Sequence, residues 1–308
     1  MERCIASAKR LIAEQVSRNR ASYGISFNTY NKSYCWTNEN IKGYLNLVDF
    51  NGKENALSVL ASGDHAFNLV YNGIKNVDTF DVNRLTEYIA LGLKRAMILK
   101  YSYQDFLIVM KNLCSYDSKV ECIYEIIEGL LPYMEEKHSK FWQEIIKFNY
   151  IIQKENSTNI NLIHMLTVNF TESYDYIRGN SYLKNEEAYN KLKLDLLNAK
   201  INFKNVNALD LSQEFNGKYD LVLLSNILDY FGHYWGSYWD YETLKNYTEK
   251  LENITNKDAI IFLNYLFVHP QYAVTLFDDS TIKTDDLETE EIITLDDDSS
   301  GVILKRVK

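Results

Sequence analysis

Long apolar runs and structure-breaking residues are both scarce in this 308-residue chain. Proline occurs only as Pro132 and Pro270, and no stretch rich in glycine, serine or proline divides the sequence into blocks. No apolar run approaches the roughly 20 residues needed to cross a bilayer, and the N-terminus lacks the apolar core of a signal peptide. We therefore expect one compact unit without a transmembrane segment, located in the cytoplasm.

Cysteine is too sparse and too scattered for a metal site or a disulfide framework. The four cysteines are Cys4, Cys35, Cys114 and Cys122. They form no C-x-x-C pair, and no histidine cluster accompanies them, whereas zinc sites and disulfide scaffolds need closely spaced or paired ligands. We expect reduced thiols and no bound metal.

Basic charge is missing as a general feature of the chain. The net charge is −9, and the segment from Asp278 to Asp298 accounts for all of it, with ten acidic residues against Lys283 alone. The remainder is neutral and lacks the broad positive field that attracts the phosphates of nucleic acids. The sequence thus predicts no nucleic-acid partner.

A local basic patch does lie at the N-terminus. Its residues are Arg3, Lys9, Arg10, Arg18 and Arg20. In a helix, one apolar face would be shared by Ile5, Ala8, Ile12 and Val16. Such a helix could contact a membrane surface peripherally, or it could dock on the fold with its basic residues in solvent.

A strand, a turn, a helix and a second strand follow one another between Ala56 and Asn83. Leu57–Leu60 and Val77–Phe80 are short apolar runs typical of strands buried in a parallel sheet. The helix between them is His65–Tyr71. This is half of a nucleotide-binding fold, so we expect an adenosine-containing ligand.

The turn and the end of the second strand supply candidate cofactor contacts, namely Ser62, Gly63, Asp64, Asp81 and Asn83. Asp81 follows Gly63 by 18 residues, near the spacing at which an acid accepts hydrogen bonds from ribose hydroxyls. The turn has one glycine rather than the several that a pyrophosphate requires, so S-adenosylmethionine (SAM) fits better than a dinucleotide. The alternative is an ordinary βαβ unit, in which Gly63 permits tight packing and Asp81 caps a helix.

Several segments are similar to a known family. They read SFNTYNKSYCWTNENI (Ser26–Ile41), ASGDHAFN, FDVNRLTEYIALGLKRAMIL, YSYQDFL and YDLVLLSNILDYF (Tyr219–Phe231). Through them the chain resembles the DUF3419 family, which includes a SAM:diacylglycerol 3-amino-3-carboxypropyltransferase. The resemblance implies a class I methyltransferase-like fold, SAM binding and a lipid or small-molecule acceptor.

The rest of the sequence completes an α/β fold. Three more apolar runs predict strands, and two near the C-terminus, joined by DDDSSG, predict an antiparallel hairpin. These segments are Ile201–Val206, Tyr219–Leu224, Ala259–Leu266, Glu291–Leu295 and Val302–Lys308. We expect a class I SAM-methyltransferase-like Rossmann fold with a mainly parallel sheet, a C-terminal antiparallel hairpin and a helical insertion. Residues 1–50 would cover the cofactor, and residues 51–308 would form the SAM-binding domain.

The predicted insertion spans residues of about 100–200. Within it, Val120–Met134 and Lys140–Ile152 carry apolar residues at helical spacing. Such an insert usually lies over the carboxyl ends of the strands, where it would shape an acceptor pocket. The alternative is a stabilising side bundle.

Polar and aromatic side chains after the later strands are candidates for the chemistry. Asp210 stands where a side chain commonly reaches the adenine amine, and Ser225 would contact the cofactor. The candidate catalytic residues are Asn226, Asp229, Tyr230 and His233. The aromatic run that starts at Tyr230 could face the sulfonium or line an acceptor pocket, but it could equally be part of the core. Ser225 or Asn226 could instead be a helix cap.

Residues before the first strand of the unit can fold over a cofactor, and Tyr34 and Trp36 are the candidate contacts there. His65 follows the glycine turn, and we expect it to be a solvent-facing helix residue.

Two classes of function fit these observations. The first is a SAM-dependent transferase that moves the 3-amino-3-carboxypropyl group or the methyl group, and the family resemblance favours the former. The second is a non-catalytic SAM-binding module that contacts a protein partner. The sequence specifies neither the acceptor nor the oligomeric state.

Overall fold

The computed structural model of the protein describes residues 1–18, 32–37, 39–114, 120–158, 161–168, 176–227, 241–265, 289–294 and 301–306. Its strands are β1 (Ser33–Tyr34), β2 (Asn55–Val59), β3 (Asn76–Phe80), β4 (Thr167–Val168), β5 (Lys200–Lys204), β6 (Tyr219–Leu223), β7 (Thr255–Tyr265), β8 (Thr289–Thr294) and β9 (Gly301–Arg306). β1 and β4 form a small parallel sheet, and the other seven strands form one large sheet.

The large sheet has the strand order β5-β3-β2-β6-β7-β9-β8. The first five strands of this order are parallel, whereas β9 runs antiparallel to β7 and to β8. From β2 the chain builds outwards through β3 to β5, and it then continues on the other side of β2 with β6 and β7. This is a class I methyltransferase-like Rossmann fold with a C-terminal antiparallel hairpin, and it confirms the predicted fold class.

Burial explains why the central strands form where the apolar runs predict them. In β2 the successive residues Ala56, Leu57 and Ser58 are all buried, as expected for a parallel strand covered on both faces. β5 lies at the edge of the sheet, and its residues alternate between exposed and half-buried. The core is thus centred on β2 and its neighbours β3 and β6.

Helices cover the sheet and occupy the connection between β3 and β5. They are α1 (Glu2–Arg18), α2 (Ile41–Leu45), α3 (Asp64–Tyr71), α4 (Leu85–Glu87), α5 (Arg95–Lys100), α6 (Tyr103–Cys114), α7 (Val120–Leu130), α8 (Glu136–Asn156), α9 (Leu162–Leu166), α10 (Tyr176–Gly179), α11 (Glu186–Asp195), α12 (Leu211–Glu214) and α13 (Tyr241–Glu252). A π-helical segment, Tyr88–Lys94, joins α4 to α5. None of the described helices is long and apolar enough to cross a membrane.

The two helices predicted in the insertion are present, but their ends differ from the prediction. α7 ends at Leu130 and is followed by a 3-10 turn, Leu131–Tyr133, because Pro132 has no amide hydrogen with which to continue an α-helix. α8 extends beyond the predicted Lys140–Ile152 at both ends.

The N-terminal helix α1 docks on the fold. Its apolar residues Ala8, Ile12 and Val16 are buried, and the helix packs against α8 and α9. Lys9 pairs with Glu144 of α8 at 3.3 Å. The apolar face is therefore inside the protein, as in the docked alternative, and the surface-seeking alternative does not describe this conformation.

Candidate functional site

The sheet reverses its building direction between β2 and β6, and ligands of open α/β sheets bind outside the carboxyl ends of the strands at such a switch point. The backbone just beyond both strands is left-handed, with a φ of 42° at Ala61 and of 57° at Ser225. Residues with a side chain rarely adopt this conformation, which is concentrated at functional sites. The ends of β2 and β6 therefore define the candidate site.

Position 63 requires a glycine because of its backbone conformation and because of the side chains packed beside it. Its φ is 85°, and a Cβ atom at this position would lie 3.0 Å from Ala90 Cβ and 3.0 Å from Phe67 Cε2. Its amide donates to Leu60 O at 2.6 Å. The tight-packing alternative thus accounts for this glycine without a ligand.

The carboxylate of Asp64 is fully buried and receives four hydrogen bonds. Oδ2 accepts from Thr37 N at 2.8 Å and from Ser62 Oγ at 2.7 Å. Oδ1 accepts from Lys94 Nζ at 2.5 Å and from Tyr182 Oη at 2.7 Å. A carboxylate has about four acceptor positions, so protein atoms occupy them all. Asp64 fixes the turn, and its direct contact with a cofactor stays a prediction.

Lys94 joins this turn to the N-terminal segment. It is the last residue of the π-helical segment, and its buried ammonium also donates to Cys35 O at 3.0 Å and Ser62 O at 3.3 Å. The ammonium lies 4.0 Å from the ring centre of Trp36, a cation–π distance. Trp36 is thereby held against the turn, and π-helical segments often occur at such functional sites.

Asp81 lies at the carboxyl end of β3 and is less buried than Asp64. Its Oδ2 accepts from Ala61 N at 3.1 Å, and its Oδ1 accepts from Asn83 N at 2.8 Å. Burial raises the pKa of Asp81 to about 6, although these hydrogen bonds act in the opposite direction. The carboxylate is therefore oriented by the backbone at the place where the sequence predicts ribose binding.

Glu39 bridges the loops after the two strands of the switch point. Its Oε2 lies 3.2 Å from Nε2 of His65, in the first turn of α3, and its Oε1 accepts from Ser225 Oγ, beyond β6. His65 is fully buried, so the expectation of a solvent-facing residue is wrong. The first turn of α3 is covered because the segment that carries Glu39 crosses over it.

The helical insertion also contacts the site. Tyr182 reaches Asp64, and Asn180 accepts from Asn68 Nδ2 at 2.6 Å. Asn68 Oδ1 in turn accepts from Ser181 N at 2.8 Å. These contacts connect residues 180–182 to the first turns of α3.

The other predicted site residues are dispersed around this centre. Asn83 is buried beside Asp81, and Ser225 and Asn226 are buried beyond β6. Tyr34 is half-buried on β1, and Asp210 is exposed after β5. The candidates Asp229, Tyr230 and His233 lie outside the described residues. Within the described part, no group of histidine, cysteine or acidic residues could hold a metal ion.

Sequence reasoning missed Glu39, Lys94 and Tyr182. Lys94 stands in the apolar stretch YIALGLKRAMIL, and a lysine surrounded by residues that become buried is the signal that could have found it. Glu39 and Tyr182 meet the turn only through long-range contacts, which no local pattern indicates.

No family model matches the chain, and no curated protein matches it, so membership of the DUF3419 family stays a prediction. Two solved structures of the rRNA methyltransferase aviRa from Streptomyces viridochromogenes are 12% and 10% identical, with TM-scores of 0.40 and 0.44. Their alignments cover 83% and 87% of this chain and 77% and 82% of the other. The 16S rRNA methylase RmtB is 10% identical, with a TM-score of 0.35, over 98% of this chain and 74% of the other.

One expectation is corrected. The three solved structures are named as an rRNA methyltransferase or an rRNA methylase, and the expectation that nucleic acid is not a partner is not kept. That expectation rested on the overall charge of the chain, and a neutral overall charge does not report the charge of the local surface that would contact a phosphate backbone. The assignment of the fold itself follows from the order and direction of the strands.

Proposed function

We propose that the protein binds SAM at the carboxyl ends of β2, β3 and β6 and transfers a group from it. The observation that carries this proposal is the geometry of Asp81. Each of its carboxylate oxygens accepts one backbone hydrogen bond, from Ala61 or Asn83, and a carboxylate oxygen can accept two. The side chain of Thr86 also hydrogen-bonds this carboxylate. The acceptor position that then remains fits a ribose hydroxyl.

The turn after β2 supports SAM over a dinucleotide. A pyrophosphate needs free backbone amides, but the amide of Gly63 is bonded to Leu60 O. The nearby ammonium of Lys94 is bonded to Asp64 and to backbone carbonyls. A ligand without phosphates does not need either group.

Methyl transfer is the reaction that we propose first, by analogy with the class I methyltransferase-like fold. In it, a nucleophile of the acceptor attacks the methyl carbon, the carbon–sulfur bond breaks, and its electron pair remains on sulfur. The acceptor loses a proton, and S-adenosylhomocysteine is the by-product. The protein would contribute by holding the two reactants in line.

Transfer of the 3-amino-3-carboxypropyl group is the second candidate. It follows the same electron flow at another carbon of the sulfonium and leaves methylthioadenosine. The resemblance in Ser26–Ile41 favours it, and the described part of that block reaches the site through Thr37 and Glu39. A non-catalytic SAM-binding module is the third reading.

Calorimetric titration with SAM tests the binding. The variant Asp81→Asn should weaken the binding of SAM by about ten- to a hundredfold, about 1.5 to 3 kcal/mol, because a neutral amide is a poorer acceptor for a ribose hydroxyl than a carboxylate. The control Asp195→Asn removes a surface carboxylate of α11 and should leave the affinity unchanged. Failure of the folded wild-type protein to bind SAM would refute the proposal.

Methyl-labelled SAM, incubated with the protein and a fractionated cell extract, separates the reactions. Label in an acceptor indicates methyl transfer, and label in the nucleoside by-product indicates aminocarboxypropyl transfer. Binding without turnover in any fraction would favour the non-catalytic reading.

A further inference from the structure

The carboxylate of Glu39 lies at the topological switch point itself. One oxygen contacts His65, which follows β2, and the other contacts Ser225, which follows β6. The side chain is almost fully buried. An acidic group is thus held between the two strand ends where this fold places its ligands.

The hydrogen bonds of Glu39 favour its ionised form. Ser225 contributes a neutral hydroxyl donor. His65 offers Nε2 to Glu39, while its buried Nδ1 has no hydrogen-bond partner among the described residues. Hydrogen bonds from such donors stabilise a carboxylate anion.

Charges on the two sides of β2 give a bound ligand a direction. On the β5 side, Arg84 Nε donates to Asn205 at 2.5 Å, and Asn205 Nδ2 donates to Asp81 O at 2.8 Å. The carboxylate of Asp81 lies on the same side as this guanidinium, so charges of both signs stand there. On the β6 side, the acidic group of Glu39 favours a cationic group. With its ribose at Asp81, SAM would therefore extend its sulfonium across the end of β2 towards β6.

The distances are compatible with this direction. β2 separates β3 from β6, so the ends of these two strands are about 10 Å apart at the usual strand spacing of about 4.8 Å. The sulfonium of SAM lies one carbon beyond the ribose, between the two ends.

We propose that Glu39 determines charge specificity at this site, favouring the cationic sulfonium over a neutral thioether. This inference rests on the proposed function.

The consequence is a preference for substrate over product. Methyl transfer and aminocarboxypropyl transfer both break a carbon–sulfur bond and leave the electron pair on sulfur, which becomes neutral. Glu39 then loses its attraction for the ligand, and the by-product dissociates more readily. A charge pair in this partly screened setting changes affinity by about ten- to a hundredfold.

The test compares the Kd of SAM with that of S-adenosylhomocysteine by calorimetric titration. The two ligands share the ammonium and carboxylate of the tail and differ in the methyl group and the charge on sulfur. The change in the ratio of their Kd values between the wild-type protein and Glu39→Gln therefore reports the charge on sulfur. Wild-type protein should prefer SAM by roughly ten- to a hundredfold, and Glu39→Gln should reduce this ratio about tenfold or more. The control Glu54→Gln, at the opposite end of β2, should leave the ratio unchanged.

A ratio near one in the wild-type protein, or an unchanged ratio in folded Glu39→Gln, would overturn the inference while leaving SAM binding in place. Failure of the wild-type protein to bind either ligand would refute the proposed function and this inference with it. If Glu39→Gln does not fold, Glu39→Asp, which withdraws the charge by one methylene, should lower the preference in part. An unchanged preference in that variant would also overturn it.

Discussion

Lys94 and Asp64 form a buried ion pair, with 2.5 Å between Nζ and Oδ1 and side chains that are 4% and 0% exposed. The lysine ends the π-helical segment, and the aspartate begins α3. The pair therefore connects the start of α3 to the end of the π-helical segment at the glycine turn. The same ammonium donates to Cys35 O and so holds the N-terminal segment.

Replacing Lys94 by Met should lower the free energy of unfolding by about 3 to 5 kcal/mol, because the carboxylate of Asp64 would remain buried without its cation. Urea denaturation followed by circular dichroism measures this change. The double variant Asp64→Asn/Lys94→Met should recover part of the loss. The exposed pair between Lys75 and Glu54 provides the control, since Lys75→Met should cost no more than about 1 kcal/mol. Equal losses at both lysines would contradict the assignment.

The affinity for SAM should depend on pH through Asp81. Burial raises the pKa of this carboxyl to about 6, and the ionised form is the better acceptor for hydroxyls. Affinity should therefore increase as the pH rises from 5 through about 6 to 7. Titrations of the wild-type protein should show this step, and Asp81→Asn should show a weaker affinity without it. A step of the same size in the variant would assign the ionisation to another group.

The same ionisation has the opposite effect on the free energy of unfolding. The pKa of Asp81 is higher in the folded protein than its ordinary value of 3.8, so the folded state holds this proton more tightly. The contribution of Asp81 to stability is therefore complete below pH 3.8 and is lost as the pH rises to about 6. Tighter ligand binding and lower intrinsic stability thus develop over overlapping ranges of pH.

Gly63→Ala should destabilise the protein more than Gly73→Ala. Both glycines have positive φ angles, 85° and 100°, but a Cβ at Gly63 would lie 3.0 Å from Ala90 and Phe67, while a Cβ at Gly73 would meet no described atom within 4 Å. We expect a loss of about 1 kcal/mol at Gly73 from the backbone alone and of about 2 to 3 kcal/mol at Gly63. Thermal denaturation of both variants measures the difference. Equal losses would show that crowding at Gly63 contributes nothing.

The positions of β2, β3 and the C-terminal hairpin follow from local signals in the sequence. Buried parallel strands appear as apolar runs such as Leu57–Leu60, and turn residues mark their ends. The end of α7 at Leu130 depends on Pro132, which acts within one helical turn. These features are predictable because their causes lie within a few residues of each other.

The connections within the site are not local. Glu39 meets Ser225 across 186 positions, and Asp64 meets Tyr182 across 118. His65 was predicted to be exposed because nothing beside it in sequence indicates that a distant segment covers it. Lys94 belongs to a π-helical segment, whose wider turns depart from the 3.6-residue period used to assign faces.

The contacts of residues 180–182 with α3 have a consequence for protein engineering. A shortened protein, made by excising residues 100–200 and rejoining the sheet, would lose two hydrogen bonds at the site. These are the bond from the Tyr182 hydroxyl to Asp64 and the bond from the Ser181 amide to Asn68. Both acceptors are fully buried, so such an excision would leave polar atoms unsatisfied beside the glycine turn. The helices between β3 and β5 are therefore not a detachable module, and a graft of this sheet onto another scaffold must carry Asn180, Ser181 and Tyr182 with it.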